Sequence, residues 1–151
     1  MPSITVQESK NPKLVYMMLS GGVDSSVACA KLVDEGYEVR AVFMQCWSMN
    51  QINKLKLPKE LYDCSWEDDA KDAELVAKKL NIPFEIWDFE DEYYNKVIKH
   101  MIDEYSNGRT PNPDVMCNGV IKFGIFYDRA MKLGADYVAT GHYARIVEVE
   151  E

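Results

Sequence analysis

Leu14-Val15-Tyr16-Met17-Met18-Leu19-Ser20-Gly21-Gly22-Val23-Asp24-Ser25-Ser26 is the stretch on which the fold turns. An apolar run meets two glycines, and Asp24 with two serines then opens a helical pattern through Val27, Ala28, Leu32 and Val33. Strand, tight glycine turn and helix N-terminus in that order make an anion site. The first N–H groups of a helix have no partner inside it, and glycine lets the backbone approach a phosphate. No lysine follows, as a Gly-Lys-Ser/Thr phosphate loop would require; an acid does. Asp24 beside a polyphosphate is repulsive unless a cation lies between them, so the loop predicts a nucleotide bound with Mg²⁺, Asp24 being the candidate to reach the ion. The plainer reading of the same residues is a Gly-Gly turn capped by Ser and Asp.

Working outward, helix one is expected over about 24–35 with Gly36 as its stop, followed by a strand over 38–44. Strand, helix, strand implies a right-handed parallel crossover. Residues 45–65 read as a long irregular loop with Cys46 and Cys64 at its ends, of the kind that is functional or disordered. Ser65-Trp66-Glu67-Asp68 starts the next helix like a capping box, and Ala70, Ala73, Val76, Ala77 and Leu80 form its apolar face. The run Glu67, Asp68, Asp69, Lys71, Asp72 reads most simply as its solvated side, a metal site of paired carboxylates being the less favoured alternative. A strand follows over 84–89, then a helix with a core stripe of Tyr93, Tyr94, Val97, Ile98, Met101, Ile102 and Tyr105, ending at Asn107-Gly108. A last helix over about 115–133 stops at Gly134, and a fourth parallel strand over 136–140 ends at Gly141-His142-Tyr143. Alternating strands and helices give an α/β, doubly wound, mostly parallel sheet, whose ligands bind beyond the strands' C-terminal ends. Residues 1–13 read as a flexible tail, 14–145 as one domain, and 146–151 as the start of a downstream region.

At 151 residues and 47% hydrophobic composition the chain can bury one core. No apolar run is long enough to span a membrane. Met1 to Lys13 is polar, carries Glu8 and lacks arginine, so neither a signal nor a transit peptide is expected and a cytoplasmic location is. The four cysteines (Cys29, Cys46, Cys64, Cys117) have no C-x-x-C metal spacing and, without a secretory signal, do not read as a disulfide framework. A net charge of −8 argues against non-specific adhesion to nucleic acid but allows a local basic groove.

Gly108-Arg109-Thr110-Pro111-Asn112-Pro113-Asp114-Val115-Met116-Cys117-Asn118 is the most unusual stretch. Two prolines one residue apart stiffen the loop before a helix. Asp114 is a natural N-cap, which would set Cys117 at the third helical position, where the positive helix end favours a thiolate. Asp114 opposes that effect unless it serves as a base for the thiol or substrate proton. Asp114 capping and Cys117 merely packing is the plainer alternative; the rigid setting favours a nucleophile.

Ser20-Gly21-Gly22-Val23-Asp24-Ser25 resembles the Ser-Gly-Gly-x-Asp-Ser signature of the PP-loop ATP pyrophosphatases, which implies an adenine-nucleotide α-hydrolase-like, Rossmann-like fold and cleavage of ATP between its α and β phosphates. The proline-cysteine stretch, with Ile121-Lys122-Phe123 and Gly134-Ala135-Asp136-Tyr137-x-Ala139-Thr140-Gly141-His142-Tyr143, narrows this. Together they look like the MnmA family of tRNA-specific 2-thiouridylases. The resemblance implies ATP- and Mg²⁺-dependent thiolation of the wobble uridine of tRNA, through an adenylated uridine and a cysteine persulfide. Carried onto this chain, it implies ATP binding by Met18, Leu19, Ser20, Gly21, Gly22, Val23, Asp24, Ser25, Met44 and Gly141. It implies that Asn112, Pro113 and Asp114 meet the target base, that Cys117 is the nucleophile, and that His142 lies at the tRNA. A persulfide sulfur-donor protein and a downstream RNA-binding region are implied partners. The family's second cysteine is expected beyond residue 151, with Cys46 and Cys64 as substitutes within the chain, and passage of sulfur by persulfide, disulfide or iron–sulfur chemistry stays open. Gly119-Val120 stands where the family more usually has Lys-Glu. Among the basic residues Lys54, Lys56, Lys59, Lys96, Lys99, Arg109, Lys122 and Arg145, the two inside the motif, Arg109 and Lys122, are the candidates for RNA. Competing readings are a PP-loop ligase acting on a small carboxylate, which leaves Cys117 idle, and a non-catalytic ATP-binding module.

Overall fold

The computed structural model describes residues 12–48, 66–144 and 147. Expectations for the tail up to residue 11, for residues 49–65 with Cys64 and Ser65, and for Lys54, Lys56, Lys59 and Arg145 fall outside that set, as does the downstream end apart from Val147. Lys13, expected in the flexible tail, is instead held by Asp136 at 2.8 Å. Apolar residues on both sides of the first strand make it a central one. β1 (Leu14–Met18) pairs in parallel with β2 (Glu38–Gln45) on one side and β4 (Tyr137–Ala139) on the other. β3 (Phe84–Asp88) pairs in parallel with β2, giving the order β3-β2-β1-β4. The doubly wound parallel sheet expected from the sequence is therefore present.

Alternation along β1 divides the core in two. Tyr16 and Met18 face a cluster with Val42, Trp87, Phe89, Val97, Ile121 and Phe126. Met17 and Leu19 face Cys29, Val39, Ala41, Phe43, Ala70, Ala73 and Ala77 on the opposite side. α1 (Val23–Asp34) and α2 (Trp66–Leu80) cover the second face. The first face is covered by α3, built of Glu90–Tyr93, a π-helical stretch Tyr94–Ile98 and Lys99–Ser106, and by α4. α4 comprises Pro113–Met116, a π-helical stretch Cys117–Phe126 and Tyr127–Lys132. Trp87 centres this face, with its ring 4.8 Å from Phe126 and 5.5 Å from Tyr16, and the Arg129 guanidinium 4.2 Å over it.

Three details differ from expectation. α1 starts at Val23 with Gly22 as its N-cap and no side-chain cap, so the Ser/Asp-capped turn is not what forms. The cap of α4 is Asn112, whose Oδ1 accepts from Val115 N at 3.2 Å, while Pro113 takes the first helical position and Asp114 the second. The stripe on α3 is buried at Val97 and Ile98, with Tyr93 half-buried against the same core, whereas Ile102 and Tyr105 are exposed.

Candidate active site

β1 hands the chain to a loop closed by its own serines. The Ser25 hydroxyl donates to Gly22 O at 3.1 Å and accepts from Ser20 N at 3.2 Å. Its one proton being used, it also takes the Ser20 hydroxyl, 3.0 Å away. Ser25 is buried, and this network leaves no side chain on the first amides of α1. Two glycines let other elements touch the loop. Gly21 has φ 83°, and a Cβ there would lie 2.8 Å from the Asp69 carbonyl oxygen on α2. A Cβ on Gly141 would lie 2.7 Å from Ser25 N. The loop is thus clasped between α2 and the turn after β4, with free helix amides and backbone at the surface. That arrangement fits a polyphosphate.

Beyond the C-terminal ends of β1, β2 and β4, where the strand order reverses, lies a cleft of about 410 Å³. Of the nucleotide-binding residues expected from the sequence, Met18, Leu19, Ser20, Asp24, Ser25, Met44 and Gly141 line it; Gly21, Gly22 and Val23 belong to the loop behind the wall. Cys117 and His142 line it as well, so the two sequence constellations meet at one cavity. Asn112, Pro113 and Asp114 stand at the start of α4, off its wall. Asp69, Cys46 and Thr140 are wall residues that the sequence reading did not place there. Asp69 is exposed, as the solvated run predicts, and it stands four residues before the buried Ala73, one helical turn along the same face, which brings it to the cleft.

The electrostatics around Cys117 correct one expectation. Burial pushes its thiol above the ordinary value and Asp114 adds to the rise, while Lys122 pulls the other way. Counted from Asn112, Cys117 is the fifth helical residue, beyond the first turn over which the helix dipole acts. The thiol is therefore held protonated. Cys46 packs on the same apolar cluster and is pushed up to about 12, first by burial and then by Cys117. Cys29, Cys46 and Cys117 are all free thiols.

Across the cleft, Thr140 Oγ1 lies 2.7 Å from His142 Nδ1, and Lys122 Nζ lies 3.5 Å from Nε2. Lysine only donates, so Nε2 accepts and Nδ1–H donates to Thr140, which fixes the ring. Tyr143 donates its hydroxyl to Asp24 at 2.6 Å. Lys122 reaches the cleft wall, whereas Arg109 is clamped by Glu104 through two bonds of 2.6 Å. Among the described residues no three metal-binding side chains converge. Asp24 and Asp69 both line the cleft, and one or two carboxylates completed by phosphate oxygens and water is how Mg²⁺ is usually held.

Residues 13–151 match the family model of the tRNA methyl transferase HUP domain. The chain belongs to this family. HUP-domain relatives include the tRNA-specific 2-thiouridylase MnmA of Flavobacterium johnsoniae, 49% identical over 138 residues, which cover 91% of this chain and 33% of that protein. The MnmA of Staphylococcus haemolyticus is 48% identical over 132 residues, covering 87% and 34% respectively. This HUP domain thus spans about one third of the length of those relatives. A predicted subunit of tRNA methyltransferase from Methanocaldococcus jannaschii shares the fold, with a TM-score of 0.57 over 91% of this chain and 59% of that one, at 18% identity.

Proposed function

We propose that this chain is the nucleotide-activating and sulfur-transferring portion of a cytoplasmic tRNA 2-thiouridylase. The observation that carries the reading is that the Ser20–Ser25 loop and Cys117 open on the same cleft. Uridine O2 would attack the α-phosphorus of ATP: the O2–P bond forms as the bond to pyrophosphate breaks, C2=O becomes C2–O–AMP with a C2=N3 double bond, and the N3 proton is given up until 2-thiouridine is released. The amides of Val23 and Asp24, with the glycine backbone, hold the phosphates, and Asp24 with Asp69 would hold Mg²⁺, whose role when bound is to neutralise the departing charge. Cys117, charged with a sulfane sulfur by a donor protein, presents that sulfur to C2; the C–S bond forms as AMP leaves. The remaining Cys117–S–S–C2 link is opened by a second thiol, leaving 2-thiouridine and a disulfide at Cys117. Lys122 lowers the cost of the anionic sulfur, and Asn112 to Asp114 with His142 position the extruded base. Residues 14–145 form the domain, and an RNA-binding region downstream of residue 146 completes the enzyme.

The test is pyrophosphate release from ATP in the presence of tRNA, compared with small carboxylic acids. Release is expected with tRNA alone, and Cys117→Ser is expected to keep ATP binding while losing thiolation. Because the chain spans a third of its relatives' length, thiolation by it alone should be weak. Release stimulated by small acids and not by tRNA would sink the reading and favour a small-molecule ligase.

A further inference from the structure

Phe123 follows the cleft residue Lys122 in the π-helical stretch of α4 and is 52% exposed. Leaving a phenylalanine half in water forgoes much of the stabilisation its burial would bring. Its ring is nonetheless held in place. It lies 5.8 Å from the His142 ring at an interplanar angle of 44°, and His142 is itself pinned by Thr140. Lys122 Nζ lies 3.5 Å from Nε2 of that imidazole. The rim of the cleft that contains Cys117 thus carries a fixed aromatic face, a buttress behind it and a cation beside it.

We infer that Phe123, backed by His142, is a stacking surface for a single-stranded nucleobase adjacent to the one that enters the cleft, with Lys122 set to meet its phosphate. This deepens the proposed function and rests on it. A base drawn out of its stack leaves its neighbour with one bare face, and an exposed ring of fixed orientation covers such a face whatever the base. A positive charge within reach of the backbone belongs to the same mode of recognition. A protein partner covering Phe123 together with the exposed Tyr127 is the competing occupant. The imidazole and lysine that flank Phe123 at the cleft suit a nucleotide better than an apolar interface.

The experiment uses a stem-loop RNA with 2-aminopurine beside the target uridine. Wild-type chain should quench the probe on binding. Phe123→Leu should abolish the quench and weaken RNA binding by roughly ten-fold or more, as removal of one stacking ring does. It should leave ATP affinity and melting temperature unchanged, and Phe123→Trp should restore the quench. If wild-type binds and Phe123→Leu binds and quenches equally well, the stacking surface is refuted and the proposed function survives. If Phe123→Leu instead abolishes self-association on a sizing column without altering the quench, the surface is a protein interface. If wild-type chain binds the RNA but leaves the probe unquenched, the stacking surface is refuted and the proposed function stands.

Discussion

Gly141 is packed so closely against the first turn of α1 that a Cβ there would sit 2.7 Å from Ser25 N and 2.9 Å from Ser25 Cα. The contact is backbone on backbone, so neither side can yield by rotating a side chain. Gly141→Ala must therefore push the turn after β4 away from the nucleotide loop. Overpacking of this kind costs about 1–3 kcal/mol, and at roughly 2–4 °C per kcal/mol for a domain of this size the melting temperature should fall by about 5 °C. ATP affinity should fall with it. An alanine variant that melts and binds ATP like wild-type would show that the turn is not clasped.

The Ser25 hydroxyl makes three contacts inside the loop, and Ser25→Ala leaves Ser20 N without its acceptor. Ser20 itself is exposed, so water can take up the freed N–H, and the lost hydrogen bond costs about 0.5–1.5 kcal/mol. If the loop holds the phosphates through its backbone, as proposed, loosening it should weaken ATP binding by roughly ten-fold, equivalent to ~1.4 kcal/mol. Calorimetric titration of the nucleotide decides this. Ser25→Thr keeps the oxygen but adds a methyl group to a buried site, so it should recover only part of the affinity.

Asn112, not Asp114, caps α4. Asn112→Ala should then cost about 1 kcal/mol of stability. Asp114→Ala should cost much less, because Asp114 makes only the smaller contribution of an acid in the first turn. Urea midpoints of the two variants separate the alternatives; an Asp114 variant as unstable as the Asn112 one would restore the aspartate as cap.

That reversal marks the limit of what was legible in the sequence. All four strands and their parallel sense follow from apolar runs broken by glycine and proline, because those patterns are set locally; that Cys117 meets the glycine loop was implied by the family resemblance, not by any local pattern. The cap was ambiguous because Asn112-Pro113-Asp114 offers two good capping side chains one proline apart, and only the path of the backbone chooses. The π-helical stretches carry no separate signal: Ile121 and Phe126 are both buried five residues apart, a spacing that looks like noise in a period of 3.6. Asp69 is exposed, as its run of acids suggests; that it also edges the cleft depends on how α2 docks on the loop, which the run itself does not encode. The exposure of Ile102 and Tyr105 depends on what packs against the end of α3, which helical spacing does not encode.

Burial and Asp114 both hold the Cys117 thiol up, and Lys122 holds it down. Iodoacetamide alkylation of Cys117, followed by mass spectrometry of the tryptic peptide, should therefore be slow at pH 7 and reach half its maximum above the ordinary thiol value of 9.0. Lys122→Met removes the one stabilising charge and should move the midpoint further up. Asp114→Asn removes a repulsive charge and should move it down. A wild-type midpoint below 8 would mean that the thiolate is favoured after all.

Asp24 and Asp69 place two carboxylates on a cleft whose loop is built to receive phosphates. Without a cation the two acids repel the ligand that the amides attract, so ATP binding should depend steeply on Mg²⁺. Chelation should weaken it by roughly ten-fold or more, equivalent to at least ~1.4 kcal/mol. Asp24→Asn removes one repulsive charge and one ligand together: affinity in EDTA should rise while the gain on adding Mg²⁺ shrinks. Tyr143→Phe frees the Asp24 oxygen now bonded at 2.6 Å without changing the charge, so it should leave the metal dependence intact or strengthen it. ATP titrations of the three proteins with and without Mg²⁺ separate these outcomes. Equal affinities in EDTA and Mg²⁺ for wild-type would place the polyphosphate away from Asp24.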